Sequence, residues 1–212
     1  MKNTTKVLLI IMISMLSFQS YAQSFGVKGG LSLANMLIED EDETMSDEFS
    51  MKPGFHVGGF IDYSLSDFLS VEASLLLNTK GFKWEDGDYI MKFKLLYLDI
   101  PIALKASYNL SDNLTMYGAV GPYLGIGLSG KAESEYDGET DEENIEWGNN
   151  EDEDDLKRFE FGATFGGGVE IGAIQVGISY DLGLANISSY TDYGSTIKNR
   201  VLKFSVGYKF GK

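Results

Sequence analysis

The sequence contains no cysteine, only three prolines and a single histidine in 212 residues. Because cysteine is absent, the chain holds no disulfide and no CxxC motif, and its stability must come from its sheet and core. A single histidine excludes the paired-histidine zinc motifs. Three prolines against 25 glycines favour twisted, closely packed strands.

Basic residues are also scarce. Lysine and arginine number 17 against 32 aspartates and glutamates, which gives a formal net charge of −15 at pH 7. Nucleic-acid binding needs clustered lysine and arginine to meet the phosphates, so the composition excludes nucleic acid as a partner. Beyond the N-terminal segment, no apolar run approaches the ~20 residues of a membrane-spanning helix, so any crossing must be made by strands.

The N-terminal segment, residues 1–22, has the features of a secretory signal peptide. Lys2 and Lys6 form a basic start, an apolar run follows at 7–15, and Ser20-Tyr21-Ala22 places small residues before a cleavage site. An uncleaved anchor helix is the alternative, but the run is short for a bilayer. The sequence therefore predicts a cleaved signal peptide at 1–22, which directs export through the inner membrane, and one domain at 23–212.

Eight stretches show the period-two alternation of strands. They are residues 25–36, 55–64, 69–82, 93–108, 114–128, 159–170, 174–184 and 201–210. Twelve of the thirteen ionisable side chains in these stretches fall on one face, and apolar residues fill the other. Successive side chains of a strand point to opposite sides, so the pattern predicts one charged and one apolar surface. The exception is Lys94, one residue from a strand end.

The connections between the stretches alternate in length. Long segments at 37–53, 83–92, 129–158 and 185–200 alternate with tight turns at 65–68, 111–113 and 171–173. This rhythm is typical of an up-and-down barrel whose long loops all lie at one end, as in transmembrane barrels. With the apolar face toward lipid, we predict an all-β fold. It is an eight-stranded antiparallel up-and-down transmembrane β-barrel of the cell outer membrane, with long acidic outer loops.

The charged face would then line the lumen of the barrel. An eight-stranded barrel is only wide enough to be filled by its own side chains, and charges with little water must pair. We therefore predict a structural network that plugs the lumen, formed by Lys28, His56, Asp62, Glu72, Lys80, Asp99, Lys105, Glu160, Glu170, Asp181, Lys203 and Lys209. One alternative is a narrow porin for ions or small solutes. Another is a soluble periplasmic lipocalin-like barrel, with the apolar face inward.

Four segments also carry a resemblance to a known family. They are Phe25-Gly-Val-Lys-Gly-Gly-Leu-Ser-Leu-Ala-Asn35, Tyr97-Leu-Asp-Ile-Pro-Ile102, Tyr117-Gly-Ala-Val-Gly-Pro-Tyr-Leu124 and Val206-Gly-Tyr-Lys-Phe210. Over about residues 23–212 the chain resembles the outer-membrane β-barrel (porin-like) family of Bacteroidetes. The resemblance implies outer-membrane lipids as surroundings and the barrel-assembly machinery as a partner. Some relatives serve a protein-secretion apparatus, so an accessory barrel of a secretion machinery is a further alternative.

Acidic residues concentrate in the predicted loops. Residues 133–155 contain thirteen aspartates and glutamates, and residues 39–48 contain seven more. Oxygen ligands at this density make divalent cations candidate partners of the loops. However, no stretch matches the D-x-[DN]-x-[DN]-G calcium loop, and such acidic segments are often merely solvated.

Catalytic motifs are absent from the sequence. His56 could act as a general base, with Ser32, Ser50 or Ser129 as its partner, but no G-x-S-x-G motif and no spacing singles out such a pair. No phosphate-binding loop precedes a helix, and no cofactor is predicted. We therefore predict a small outer-membrane protein with a structural or interaction role, not an enzyme.

Overall fold

The computed structural model describes residues 23–39, 50–87, 89–137, 139–190 and 195–210. The predicted signal peptide and the acidic residues 40–48 lie outside the described residues. The described residues form ten strands. They are β1 (Gln23–Glu39), β2 (Lys52–Ser64), β3 (Leu69–Lys80), β4 (Lys83–Asp86), β5 (Tyr89–Ser111), β6 (Leu114–Tyr136), β7 (Glu139–Asn144), β8 (Phe159–Ile171), β9 (Ile174–Gly183) and β10 (Thr196–Phe210).

Eight of these strands close into a ring, as the alternation predicts. All pairs are antiparallel, in the order β1-β2-β3-β5-β6-β8-β9-β10, and β10 pairs back with β1 from Phe25↔Phe210 to Glu39↔Thr196. The three tight turns at 65–68, 112–113 and 172–173 lie at one end, which we call the turn end. The opposite end, where the longer connections emerge, is the loop end. The predicted antiparallel eight-stranded barrel is confirmed.

Two strands occupy segments that the sequence analysis predicted as loops. β4 lies within 83–92 and β7 within 129–158, and they form hairpins with β5 and β6. β5 and β6 each have 23 residues, about twice the ~9–11 residues of a spanning strand. They therefore extend beyond the ring at the loop end, and β4 and β7 pair with these extensions.

The apolar face of the ring points outward. Val57, Val120, Phe161 and Val206 are at least half exposed, whereas Lys80, Asp99 and other charged side chains on the opposite face are buried. A lipid-facing barrel has this arrangement, because its outer belt must be apolar. A soluble lipocalin-like barrel requires the reverse, so that alternative is wrong. In the described part of the chain, no helix has the length and apolar character to cross a membrane.

The connections at the loop end pack across the mouth of the ring. Seven buried residues form a cluster that we call the cap core, composed of Met36, Phe82, Leu95, Tyr97, Ile145, Leu156 and Ile187. Trp147 meets Tyr97 edge-on, with ring centroids 5.6 Å apart. A backbone hydrogen bond from Lys157 N–H to Ile187 O joins two connections, and one from Ile187 N–H to Ile197 O joins the second of them to β10. The acidic segment is therefore not merely solvated, because its apolar residues cover the mouth.

Candidate functional site

The lumen near the turn end contains a balanced ionic network. Three lysines and three carboxylates form this turn-end network, namely Lys28, Asp62, Glu72, Lys105, Glu170 and Lys209. Lys105 Nζ lies 2.8 Å from Asp62 Oδ2 and 3.6 Å from Glu72 Oε2, and it also contacts Glu170. Lys28 Nζ lies 2.6 Å from Glu72 Oε1. Lys209 Nζ lies 3.1 Å from Asp62 Oδ2 and 2.7 Å from Glu170 Oε2, so every carboxylate contacts at least one ammonium.

A second ionic group, the loop-end cluster of Lys80, Asp99 and Glu160, lies farther along the lumen. Lys80 Nζ is 2.9 Å from Asp99 Oδ1 and donates a hydrogen bond to Glu160. All three side chains are at most 1% exposed. The ammonium also lies 4.5 Å and 4.9 Å from the ring centroids of Tyr97 and Tyr123. Cation–π contacts of this kind strengthen when water is excluded.

Amide side chains complete the loop-end cluster. Its two carboxylates outnumber the single ammonium, so each carboxylate needs a further donor. Asn78 Nδ2 donates to Asp99 Oδ2 over 2.8 Å, and Asn199 Nδ2 donates to Glu160. The loop-end cluster is therefore enclosed by two amide side chains and two tyrosine rings. Its members cannot move apart without leaving a buried charge uncompensated.

A hydrogen-bond chain connects His56 to this cluster. Ser32 Oγ lies 3.2 Å from His56 Nδ1 and donates to Asn78 Oδ1 over 2.8 Å. His56 Nε2 lies 2.9 Å from Ser205 Oγ. The chain therefore runs from Ser205 through His56, Ser32 and Asn78 to the Asp99 carboxylate.

The charge of Asp99 fixes the direction of that chain. An ionised carboxylate only accepts, so Asn78 turns its NH₂ to Asp99 and its carbonyl to Ser32. The Ser32 hydroxyl then donates to Asn78, and it accepts from His56 Nδ1–H. His56 therefore carries a proton on Nδ1, and its Nε2 shares a hydrogen bond with the Ser205 hydroxyl.

The lumen beside the turn-end network holds a small cavity. It has a volume of about 70 Å³ and is lined by His56, Glu72, Tyr117, Lys203 and Ser205 among others. By volume it accommodates only a few water molecules. Nearby, Lys203 Nζ lies 2.6 Å from Asp181 Oδ2.

The twelve side chains of the predicted lumen set divide among these groups. Asp99 and Lys105 lie in different ionic groups and do not pair with each other. Of the three serines considered as partners of His56, the structure brings only Ser32 to its ring. The backbone of Ser50 forms an isolated β-bridge with that of Lys83. Ser129 is exposed on the outside of the barrel. Ser205 was not among the candidates predicted from the sequence. It lies on the lumen side of β10, and the strand register that places it beside His56 cannot be predicted from the sequence.

The acidic segment at the loop end uses part of its carboxylates to fix its own backbone. Asp154 Oδ2 accepts from Asn150 N–H and Asp155 Oδ2 accepts from Glu146 N–H, each over 2.8 Å. In the residues that the structure describes, no group of three or more His, Asp or Glu side chains could hold a metal ion. Other carboxylates of this surface, such as Asp152 and Glu153, point into solvent.

Three solved structures are similar in overall arrangement. Ail, the attachment invasion locus protein of Yersinia pestis, has 15% identity and a TM-score of 0.42, with 90% of this chain and 100% of that chain covered. Neisserial surface protein A has 13% identity and a TM-score of 0.44, covering 88% and 97%. The outer membrane protease OmpT of Escherichia coli has 10% identity and a TM-score of 0.33, covering 92% and 98%. Similarity at this level gives no information about activity.

No curated protein matches the sequence significantly. Residues 21–189, most of the chain, match the family described as outer membrane protein beta-barrel domain. The match ends before β10, which the structure shows as the closing strand of the same ring. The closed ring, its outward apolar face and this match agree with one another. The chain belongs to the family of outer-membrane proteins with a β-barrel domain.

Proposed function

We propose that the protein is a closed barrel that acts as a structural or interaction protein of the outer membrane through its loop-end surface. The observation that carries this proposal is the loop-end cluster, because three fully enclosed charged side chains lie directly beneath the cap core. Opening a path there would separate Lys80 from two buried carboxylates, which is strongly unfavourable. Export by a cleaved signal peptide and insertion by the barrel-assembly machinery belong to the same proposal.

The His56 chain supports a role without catalysis. The Ser32 hydroxyl hydrogen is committed to Asn78, and Ser32 is completely buried. Ser205 lines a cavity of about 70 Å³, which leaves no room for a lipid or peptide substrate. We therefore assign this hydrogen-bond chain a positioning role that joins the neighbouring strands β3, β2, β1 and β10 on their lumen side.

Conductance measurements test closure of the lumen. The protein, inserted in planar bilayers, is expected to show no unitary currents. A variant with Lys80, Glu160, Lys105 and Glu170 all replaced by serine removes one ion pair from each group, so it is expected to conduct. Replacing only Lys80 and Glu160 is the matched control and should stay silent, because the turn-end network still fills the lumen. Reproducible currents from the unaltered protein would instead establish the narrow porin.

The loop-end surface is the proposed interaction site. It carries most of the thirteen carboxylates of residues 133–155, and their summed field favours divalent cations or a basic partner. Since no three side chains in the described part of this surface are placed to hold a metal ion together, we expect diffuse, salt-sensitive binding and no single high-affinity metal site.

Binding of a fluorescent oligolysine peptide tests this surface. The membrane-inserted protein should bind it at low salt and release it as ionic strength rises, because exposed charges are screened. Replacing Asp152 and Glu153 by their amides should weaken binding, whereas the same change at Glu170 in the lumen should not. Equal binding by all three proteins would assign the attraction to another surface.

A further inference from the structure

Lys94, the one charged residue that the alternation places on the apolar face, lies directly opposite a second lysine. In the β5–β6 register its partner is Lys131, and both side chains are about half exposed. Like charges directly opposite on one sheet face destabilise a strand pair. Strand pairing alone therefore gives no reason for two lysines at this position.

A β-bulge places Lys131 on the outer face. Leu96 pairs with Ser129 and Tyr97 pairs with Gly127, so β6 has one extra residue, Leu128, between them. Strict alternation from Gly127 would turn Lys131 into the lumen. The extra residue reverses its direction, as bulges commonly do.

The two lysines line a groove on the outside of the barrel at the loop end. The groove has a volume of about 430 Å³, and Lys52 of β2 also lines it. Between the three lysines lie the apolar side chains of Phe55, which is half exposed, and Leu96. Phe55 continues into the lipid-facing belt through Val57, so the groove joins the apolar belt to a basic rim.

Local charges leave this rim positive. Lys94 contacts Glu133, and Lys131 Nζ lies 2.6 Å from Glu142 Oε2. The three lysines outnumber the two carboxylates, in a chain whose overall charge is −15. Glu133 and Glu142 are themselves directly opposite each other across β6 and β7, and like charges at opposite positions weaken each other's hold on that site.

We propose that this groove binds an anionic lipid of the leaflet that surrounds the loop end. The phosphate-bearing headgroup contacts Lys52, Lys94 and Lys131, and an acyl chain lies along Phe55 and Leu96. Charge complementarity selects the headgroup, since basic side chains at a membrane surface attract anionic lipids. Continuity with the apolar belt selects a lipid in preference to a soluble anion, and long lysine side chains reach headgroup level from an apolar surface.

Native mass spectrometry of the full chain in neutral detergent tests the proposal. Phosphatidylglycerol and phosphatidylcholine with identical acyl chains serve as probes, and inorganic phosphate serves as a competitor. We expect phosphatidylglycerol to bind at least about fivefold more tightly than phosphatidylcholine. The variant K52Q/K94Q/K131Q should lose that preference, and E133Q should increase it. K92Q, on the same strand and paired with Glu135 outside the groove, is the matched control and should retain the preference.

Three results would overturn the proposal. Equal binding of the two lipids by the unaltered protein would show that the groove is only an apolar surface that does not recognise the headgroup. An unchanged preference in the triple variant, with folding verified by its gel mobility shift on boiling, would place the lipid elsewhere. Displacement of bound phosphatidylglycerol by millimolar phosphate would identify a site for a soluble anion.

Discussion

Replacing Lys80 with methionine is expected to destabilise the barrel by about 3–5 kcal/mol. Methionine keeps much of the side-chain volume but removes the charge that faces Asp99 and Glu160. Those carboxylates are at most 1% exposed, so water cannot replace the ammonium. Urea unfolding in detergent micelles, followed by the loss of the boiling-dependent mobility shift, measures the change in free energy of unfolding.

The matched control is Lys131→Met. Lys131 also contacts a glutamate, but both side chains of that pair are about half exposed. Exposed ion pairs contribute about 0–1 kcal/mol, so this change should be nearly neutral. A combined K80M/E160Q variant should recover part of the loss, because it removes one of the two uncompensated carboxylates and the other, Asp99, keeps the hydrogen bond from Asn78. Equal destabilisation by K80M and K131M would show that the loop-end cluster is solvated.

Much of the barrel could be predicted from the sequence, because its determinants are local. Strict alternation in a strand such as 201–210 places Lys203 and Lys209 on one face and Phe204 and Tyr208 on the other. This assignment needs no information about the neighbouring strands. The tight turns are equally local, since each connects two strands across a few residues. Together these features set the strand count of the ring and the faces of its strands.

The additional strands and the cap core are not local features. β7 reads Glu-Thr-Asp-Glu-Glu-Asn, with no apolar alternation, so its strand form depends on pairing with β6. Ile145, Leu156 and Ile187 lie in two different connections, and each is flanked on both sides by polar or charged residues. Only the closed ring brings them over its mouth, so no sequence window could reveal the cluster.

The ion pairs and hydrogen bonds within the lumen also could not be predicted from the sequence. The alternation places Lys105 and Glu170 on the inner face, but their contact depends on how the strands are staggered around the ring. His56 and Ser205 are 149 residues apart and meet for the same reason. The bulge at Leu128 has no clear sequence signal, and it alone turns Lys131 toward Lys94.

Replacing Gly58 with alanine is expected to destabilise the barrel by about 3 kcal/mol, whereas the same change at the adjacent Gly59 is not expected to destabilise it. A Cβ built at Gly58 would lie 1.9 Å from the backbone oxygen of Leu75 and 2.9 Å from Leu76 Cα. Backbone atoms in a paired strand cannot rotate away as a side chain can, so the β2–β3 ladder must distort. Overpacking of this kind typically costs about 1–3 kcal/mol, and the backbone contact places Gly58→Ala at the upper end.

Gly59→Ala tests the same strand on its other face. The nearest atom to a Cβ there is the backbone oxygen of Gly26 at 3.6 Å, which is ordinary contact. Alanine restricts the unfolded chain more than glycine, so this variant should match the unaltered protein or gain about 0.5–1 kcal/mol. Urea unfolding of both variants gives the comparison. If Gly58→Ala proved as stable as Gly59→Ala, the close approach of β2 and β3 on the lumen side would be wrong. The small radius of the ring would then need another cause than its inward-facing glycines.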